Sequence, residues 1–174
     1  NDTECAVAVG TAKLLKQIEI PSKYKDYTVT IIMPNGFYQC NNLECIVIPS
    51  SVTSIGSSAF YGCSSLESIE IPNSVTSIGY SAFYGCSSLT SIEIPSSVTS
   101  IRDLTFSYCS SLESIVIPSS VISIGSSAFS GCSSLTIYCE ASSQPSGWNS
   151  NWNYSNRPVY WEINETNFYE ENFI

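Results

Sequence analysis

The chain has 174 residues, of which 43% are hydrophobic and 12% are charged, and its formal net charge at pH 7 is −9. The apolar content is sufficient for a packed core. The acidic balance argues against nucleic acid and against an anionic membrane surface as partners, since both need clustered Lys and Arg. No apolar run approaches the roughly 18 residues needed to cross a bilayer, so we expect no membrane insertion.

The first 42 residues precede the regular part of the sequence. Residues 1–14 are interpreted as an N-terminal cap, because a solenoid has to cover the exposed end of its core. Residues 15–42 form an irregular first coil, in which Ile18, Ile20 and Phe37 match positions of the later coils. An insertion around residues 23–27 is expected to bulge from this coil as a loop.

From residue 43 the sequence repeats with a period of 23 residues. A fixed period of this size predicts one structural coil per repeat, so that residues 15–138 form a stacked solenoid. The columns that define the period are Pro49, Pro72, Pro95 and Pro118; Phe60, Phe83, Phe106 and Phe129; and Cys63, Cys86, Cys109 and Cys132.

One repeat unit, LESIEIPNSVTSIGYSAFYGCSS, shows how a coil is built. Ile69 and Ile71 alternate with polar residues and predict a strand that ends at Pro72. The β-branched residues in 74–79 predict a second short extended piece, and residues 81–86 are too few for a standard helix and predict a helical turn. Seven apolar columns (Leu, Ile, Ile, Val, Ile, Phe and Cys) then supply one core.

The cysteines of the repeat are interpreted as a ladder of buried, reduced thiols. Side chains in one column point the same way, so neighbouring thiols do not face each other for a disulfide. Replacement of Cys86 by Ala is expected to cost about 1 kcal/mol, and replacement by Ser more, because a buried hydroxyl needs a partner. The disulfide state of Cys5, Cys45 and Cys139 remains open.

After residue 138 the period is lost, and residues 139–174 carry all three tryptophans of the chain. We interpret this segment as an aromatic-rich C-terminal cap over the last coil. Trp148 and Trp152 are surrounded by Asn and Ser, so a platform for stacking sugars is the alternative.

The string IPSSVTSIGSSAFYGCSSL resembles the BspA-type leucine-rich repeats, a bacterial and protist subfamily with 23-residue units. The shared features are the proline after the strand, the Ile-Gly and Ala-Phe pairs and the cysteine. The resemblance implies a β-rich curved solenoid with a parallel sheet on the concave side and short extended pieces and helical turns on the convex side. It also implies a cell-surface or secreted protein without a shared catalytic site, whose relatives in some cases bind host matrix proteins or other cells.

The residue types give no sign of catalysis. The chain has no histidine, which removes Ser-His-Asp and Cys-His chemistry and the commonest ligand of transition metals. Cysteines spaced by a whole repeat lack the close pairing of zinc sites, and no glycine-rich phosphate loop follows a strand. We therefore expect no enzyme activity, no catalytic residue, no metal site and no cofactor.

The outward positions of the predicted strand are the first candidates for ligand binding. Glu70 and Glu93 are expected to lie one strand spacing apart as like charges, so a cation or a basic partner would relieve their repulsion. A solvated face that only keeps the protein soluble is the alternative. The candidate glutamates are Glu44, Glu67, Glu70, Glu93 and Glu113.

The fourth coil departs from the repeat and supplies secondary candidates. Arg102 stands where other coils carry glycine, so this column does not require a positive φ. Arg102, Asp103 and Tyr108 form a contact patch on the convex side or reflect drift of the repeat. A column of tyrosines beside the phenylalanines either binds a partner or stacks with itself, and it comprises Tyr38, Tyr61 and Tyr84.

Three functions are compatible with these features. The first is a non-enzymatic binding or adhesion module, at the cell surface or secreted, that presents the repeat sheet to a protein ligand such as a host matrix or cell-surface protein. The second is a structural spacer within a longer surface protein, and the third is carbohydrate binding through the C-terminal tryptophans. A monomer is favoured. The chain begins at Asn1, so a removed targeting segment and a fragment of a longer protein both remain open.

Overall fold

Each repeat of the sequence folds into one coil, and successive coils stack through parallel strands. The structure, a computed structural model, describes residues 4–8, 10 and 14–164. Within these residues it contains fourteen β-strands and no α-helix. The remaining residues of the two predicted caps (1–3, 9, 11–13 and 165–174) lie outside the described part of the chain. The predicted β-rich solenoid is confirmed.

The strand that opens each coil belongs to one long parallel sheet. This sheet contains β2 (Gln17–Glu19), β5 (Cys45–Val47), β7 (Ser68–Ile69), β9 (Ser91–Glu93), β11 (Ser114–Ile117), β13 (Thr136–Cys139) and β14 (Val159–Tyr160). They lie side by side in chain order, and each strand pairs in parallel with the strand of the next coil. In the regular coils a proline follows within three residues of the end of the strand, where it prevents the ladder from continuing because it has no N–H to donate.

The predicted second extended pieces form parallel strands on another side of the coils. One group contains β1 (Glu4–Val7), β4 (Tyr27–Ile32), β6 (Ser54–Ile55) and β8 (Ser77–Ile78), and a separate pair contains β10 (Ser100–Ile101) and β12 (Ser123–Ile124). We call both groups together the second sheet. Its ladder is interrupted between β8 and β10, where the third coil meets the irregular fourth coil.

The insertion in the first coil forms a hairpin, not the predicted loop. The short strand β3 (Lys23–Tyr24) pairs antiparallel with the beginning of β4. Lys25 in the connection has φ +54, a left-handed conformation that suits the twist of a two-residue hairpin turn. The alternating Lys-Tyr-Lys-Asp-Tyr sequence therefore pairs with itself instead of remaining irregular.

The core contains the seven predicted columns, and its centre is a stack of phenylalanine rings. Phe37, Phe60, Phe83, Phe106 and Phe129 are each at most 1% exposed. Neighbouring rings have centroids 5.2–5.7 Å apart and planes within 8° of parallel. Offset stacking of this kind adds to the free energy of simple burial.

Each ladder cysteine from the second coil onward is buried and bonded to the preceding coil. The Sγ atom of Cys86 donates a hydrogen bond to the carbonyl oxygen of Phe60 at 3.2 Å, and Cys63, Cys109 and Cys132 make equivalent bonds of 3.0–3.2 Å. Burial raises the pKa of Cys86 and Cys109 well above the ordinary value and that of Cys132 to about 11. The structure has no disulfide among the eight cysteines, and the predicted burial of the ladder is confirmed.

Glycine occupies two columns of the turn for different physical reasons. Gly79 has no positive φ, but a Cβ at this position would lie 2.4 Å from the backbone nitrogen of Ser57 in the preceding coil. Gly85 has φ +71, a conformation that costs a residue with a Cβ more than it costs glycine. The prediction that the column of Arg102 and Gly79 requires no positive φ is therefore confirmed.

The acceptor beside the ladder changes the expected ranking of two substitutions at Cys86. Cys86→Ala should lower the free energy of unfolding by about 1 kcal/mol through a small cavity. Cys86→Ser should cost no more than that, because its hydroxyl can donate to the Phe60 oxygen that the thiol now uses. Urea unfolding of both variants measures this ranking, with the exposed Cys45→Ser as a control that should leave the midpoint unchanged. A clearly larger loss for serine than for alanine would contradict it.

The raised pKa values predict a pattern of alkylation. The thiolate is the reactive form, and a pKa of about 11 for Cys132 leaves roughly one thiolate per thousand thiols at pH 8. In the folded protein at pH 8, iodoacetamide should modify the exposed Cys45 but not Cys86, Cys109 or Cys132. In urea under non-reducing conditions, mass mapping should find all four modified. A ladder cysteine that stays unmodified in urea would indicate oxidation of the column.

Candidate functional site

The outward side chains of the long sheet form one continuous surface, which we call the sheet face. Its middle row is set by the pairing of Cys45 with Ser68, Ser68 with Ser91, and Ser91 with Ser114. Buried isoleucines such as Ile69 and Ile92 alternate with these residues and point into the core. The outward residues of each coil therefore recur one coil step apart along the sheet face.

The sheet face brings the five predicted glutamates together in two rows. In the first row, the N–H of Glu67 donates to the carbonyl oxygen of Glu44 at 3.3 Å, and Glu113 makes the same bond to Thr90. In the second row, Glu70 and Glu93 each follow directly after the last paired residues of β7 and β9, Ile69 and Ile92. Glu67, Glu70, Glu93 and Glu113 are exposed and Glu44 is half-buried.

A lysine missed by the sequence analysis neutralises one of these carboxylates. Lys16 Nζ lies 2.6 Å from Glu44 Oε1, and this hydrogen bond and the opposite charge raise the pKa of Lys16. Lys16 precedes Ile18 by two residues, and Glu44 precedes Ile46 by two residues. The two residues therefore occupy the same position in successive coils, and this spacing could have predicted their contact. In the described part of the chain the other four glutamates contact no cation.

Two grooves lie along the sheet face. The larger has a volume of about 790 Å³ and is lined by Glu93 and Val116 of the strands, by Pro118 after β11, and by Glu140 and Ile163 of the C-terminal segment. Glu140 was also missed, because it follows the point at which the repeat period is lost. It adds a further carboxylate at the C-terminal end of the glutamate rows.

The smaller groove lies nearer the N-terminal end of the same face. It has a volume of about 420 Å³ and is lined by Cys45, Val47, Ser68 and Glu70, among others. The sheet face thus combines exposed carboxylates with apolar surface in two successive depressions, and this arrangement can accommodate an extended chain.

The structure contradicts the sugar-stacking alternative for the C-terminal tryptophans. Trp148 and Trp152 are only 5% and 4% exposed. Trp152 packs edge-on against Phe129 at 6.1 Å, and both indole N–H groups donate hydrogen bonds, to the Val121 carbonyl and to the Gln144 side chain. Both indoles are part of the buried core, so a sugar ring cannot stack on them.

The secondary candidates lie on the side of the coils that carries the turns, which we call the turn side. Arg102 lies over the ring of Tyr80, with its guanidinium carbon 5.5 Å from the centroid. Asp103 faces the next coil, where its Oδ1 accepts a hydrogen bond from the Ser126 N–H at 2.9 Å. Tyr108 is 54% exposed. The structure therefore does not bring these residues to the sheet face.

The tyrosine column stacks with itself. Tyr61 has ring centroid distances of 5.0 Å to Tyr38 and 4.6 Å to Tyr84, with planes within 16° of parallel. Tyr108 extends the column at 5.2 Å from Tyr84, tilted by 53°. The inner rings cover each other's faces and leave mainly edges and hydroxyls to solvent.

Metal binding and membrane crossing are the two other properties to consider for the described residues. No group of three or more His, Cys, Asp or Glu residues there is arranged to hold a metal ion. No helix in that part of the chain is long and apolar enough to cross a membrane.

This chain is similar in sequence and in fold to known leucine-rich repeat proteins. Residues 30–151 match the BspA type leucine rich repeat region in six copies. The structure of a leucine-rich repeat protein from T. pallidum is 38% identical, with a TM-score of 0.69, and the match covers 71% of this chain and 58% of that one. A leucine-rich repeat protein from Eubacterium ventriosum is 26% identical, with a TM-score of 0.67 and coverage of 87% and 44%.

A third structure, a leucine rich cell surface protein from Faecalibacterium prausnitzii, is 21% identical, with a TM-score of 0.50 and coverage of 92% and 63%. This chain spans about half the length of the T. pallidum and E. ventriosum proteins, 58% and 44% respectively. A search of curated proteins gave no match. Because the matched repeat region takes in more than half of the sequence, the chain belongs to the BspA-type leucine-rich repeat family.

Proposed function

We propose that this chain is a non-enzymatic binding module, displayed at a cell surface or secreted, that holds a protein ligand on its sheet face. The ligand is an extended segment of another protein that carries Lys or Arg side chains. The family and the description of the F. prausnitzii neighbour as a cell surface protein support the location. The absence of histidine from the sequence supports a non-enzymatic role.

The glutamate rows carry this proposal. Glu70 and Glu93 directly follow the paired residues Ile69 and Ile92, so their carboxylates extend from neighbouring strands, which are about 4.8 Å apart in a sheet, and like charges this close repel each other. No cation contacts either carboxylate in the described part of the chain. A Lys or Arg side chain placed between them would remove the repulsion and form charge-assisted hydrogen bonds, which favours a basic ligand.

The grooves support a ligand in an extended conformation. Val47 and Val116 are apolar residues in the row that contains Glu93, so an apolar position lies on each side of the Glu70–Glu93 pair. An extended segment places successive side chains on opposite sides. Such a segment can direct its basic residues to the glutamates while apolar residues fill the grooves beside Val47 and Val116.

The test is a titration with a synthetic peptide of alternating Lys and Val, and with an array of matrix proteins. Glu70→Gln combined with Glu93→Gln should weaken binding about tenfold, equivalent to about 1.4 kcal/mol, and binding should weaken as salt concentration rises. Thermal stability of this variant should not fall, because two repelling charges are removed.

A charge-matched control separates the sheet face from net charge. Asp26→Asn combined with Glu4→Gln removes two charges from the hairpin and from β1, away from the sheet face, and should leave affinity unchanged. An equal loss in both variants would show a nonspecific effect of charge. Failure of the peptide and of every matrix protein to bind would contradict the proposal and favour the structural spacer.

A further inference from the structure

Four exposed residues on the turn side replace the small residues that other coils carry there. Tyr80, Leu104 and Tyr108 are 50%, 38% and 54% exposed, and Arg102 is also exposed. We call Tyr80, Arg102, Leu104 and Tyr108 the turn patch. The second and fifth coils carry only Ser or Gly at these repeat positions. The equivalents are Ser57 and Ser126 for Tyr80, Gly56 and Gly125 for Arg102, Ser58 and Ser127 for Leu104, and Gly62 and Gly131 for Tyr108.

The backbone under the turn patch is unfavourable for large side chains. Leu104 has φ +58 and Tyr108 has φ +60. In the third coil, the position of Leu104 is occupied by Ser81, with φ +52, and the position of Tyr108 is occupied by Gly85, with φ +71. The left-handed region costs least for glycine, and strained residues of this kind cluster at functional positions. The fourth coil therefore holds two large exposed side chains against a local conformational cost.

Hydrogen bonds between coils are also lost at this point. The N–H of Gly79 donates to the Ile55 carbonyl oxygen of the preceding coil at 2.9 Å, and Gly125 donates to Ile101 at 2.8 Å. The structure shows no equivalent bond from Arg102 in the described residues, and the second sheet is interrupted between β8 and β10. At Gly79, where this bond is made, a Cβ would lie 2.4 Å from the Ser57 nitrogen of the preceding coil, so a side chain in this column requires a local change of the backbone such as the one at Arg102.

The guanidinium of Arg102 is positioned but not paired. It lies over the Tyr80 ring at 5.5 Å, a cation–π contact that restricts its motion. The neighbouring carboxylate of Asp103 is bonded to the Ser126 N–H instead, and no described carboxylate forms an ion pair with Arg102. The planar group thus retains donors suited to bidentate contact with a carboxylate.

We propose that the turn patch docks a protein segment that carries an Asp or Glu side chain between apolar residues. Arg102 receives the carboxylate, while Leu104 and Tyr108 supply apolar contact beside it. Tyr84 packs against Tyr108, with ring centroids 5.2 Å apart and planes tilted by 53°, and supports its ring. Exposed Tyr and Arg side chains are the types that dominate binding energy at protein interfaces. This surface and its acidic ligand are distinct from the sheet face and its basic ligand.

The repeat itself supplies the variant that tests the turn patch. Tyr80→Ser, Arg102→Gly, Leu104→Ser and Tyr108→Gly together give the patch the residues that neighbouring coils carry in the same columns. The probe is an array of synthetic peptides with one Asp or Glu flanked by Phe, Leu or Trp, matched by Asn or Gln versions. The full chain should bind a subset in a carboxylate-dependent manner. The fourfold variant should lose at least tenfold in affinity while its Tm stays equal or rises.

Two single variants separate recognition from packing. Arg102→Gln should abolish the preference for acidic over amide peptides without lowering Tm, and Arg102→Lys should retain only part of it, because Lys lacks the planar pair of donors. Glu70→Gln combined with Glu93→Gln should leave this binding intact, so failure of the sheet-face proposal is distinguishable. The proposal is overturned if no peptide shows carboxylate-dependent binding, if Arg102→Gln keeps the preference, or if the fourfold variant loses stability.

Discussion

The stacking of phenylalanine rings in the core is the constraint on which the rest of the structure depends. Rings from successive coils lie 5.2–5.7 Å apart, and each ladder thiol from the second coil onward bonds to a Phe carbonyl oxygen of the preceding coil. One coil cannot bury its own apolar columns, so its stability comes from its neighbours. The fixed step between coils follows, so that the recurring residues that point outward form rows on the surface.

The surface rows differ in whether their polar side chains form hydrogen bonds to a neighbouring coil. The hydroxyl groups of Ser74, Ser97 and Ser120 donate to the Val52, Val75 and Val98 carbonyl oxygens of the preceding coils. These serines hold the coils together and have their hydrogen bonds filled. In the described part of the chain the carboxylates of Glu67, Glu70, Glu93 and Glu113 accept no such bond, whereas Glu44 pairs with Lys16 and Glu140 accepts a hydrogen bond from the Ser119 N–H at 2.8 Å. The hydroxyl rows therefore serve the fold, and the carboxylate rows remain available to a ligand.

Where the sequence departs from the repeat, the surface structure differs from that of the regular coils while the core stack continues. In the first coil an insertion pairs with itself as a hairpin, and at the C-terminal end Trp152 packs edge-on against the last ring of the phenylalanine stack. In the fourth coil the inward columns are kept, with Phe106 and Cys109 fully buried, while the second sheet is interrupted between β8 and β10. Core and surface can diverge in this way because outward side chains can change while the buried columns keep the coils stacked.

The sequence by itself determined the coil, its period, the strand that ends at proline, the buried columns and the reduced thiol ladder, because each depends on residues that recur at a fixed spacing. It also placed the five glutamates on one face, since alternation along a strand decides which side chains point outward. Only the tertiary structure decided contacts between residues of unrelated spacing: the Lys16–Glu44 pair, the acceptor of each thiol, the burial of Trp148 and Trp152, and the position of Arg102 over Tyr80. Those contacts depend on distances between coils and on the path of the chain after the period ends, neither of which a repeat pattern encodes.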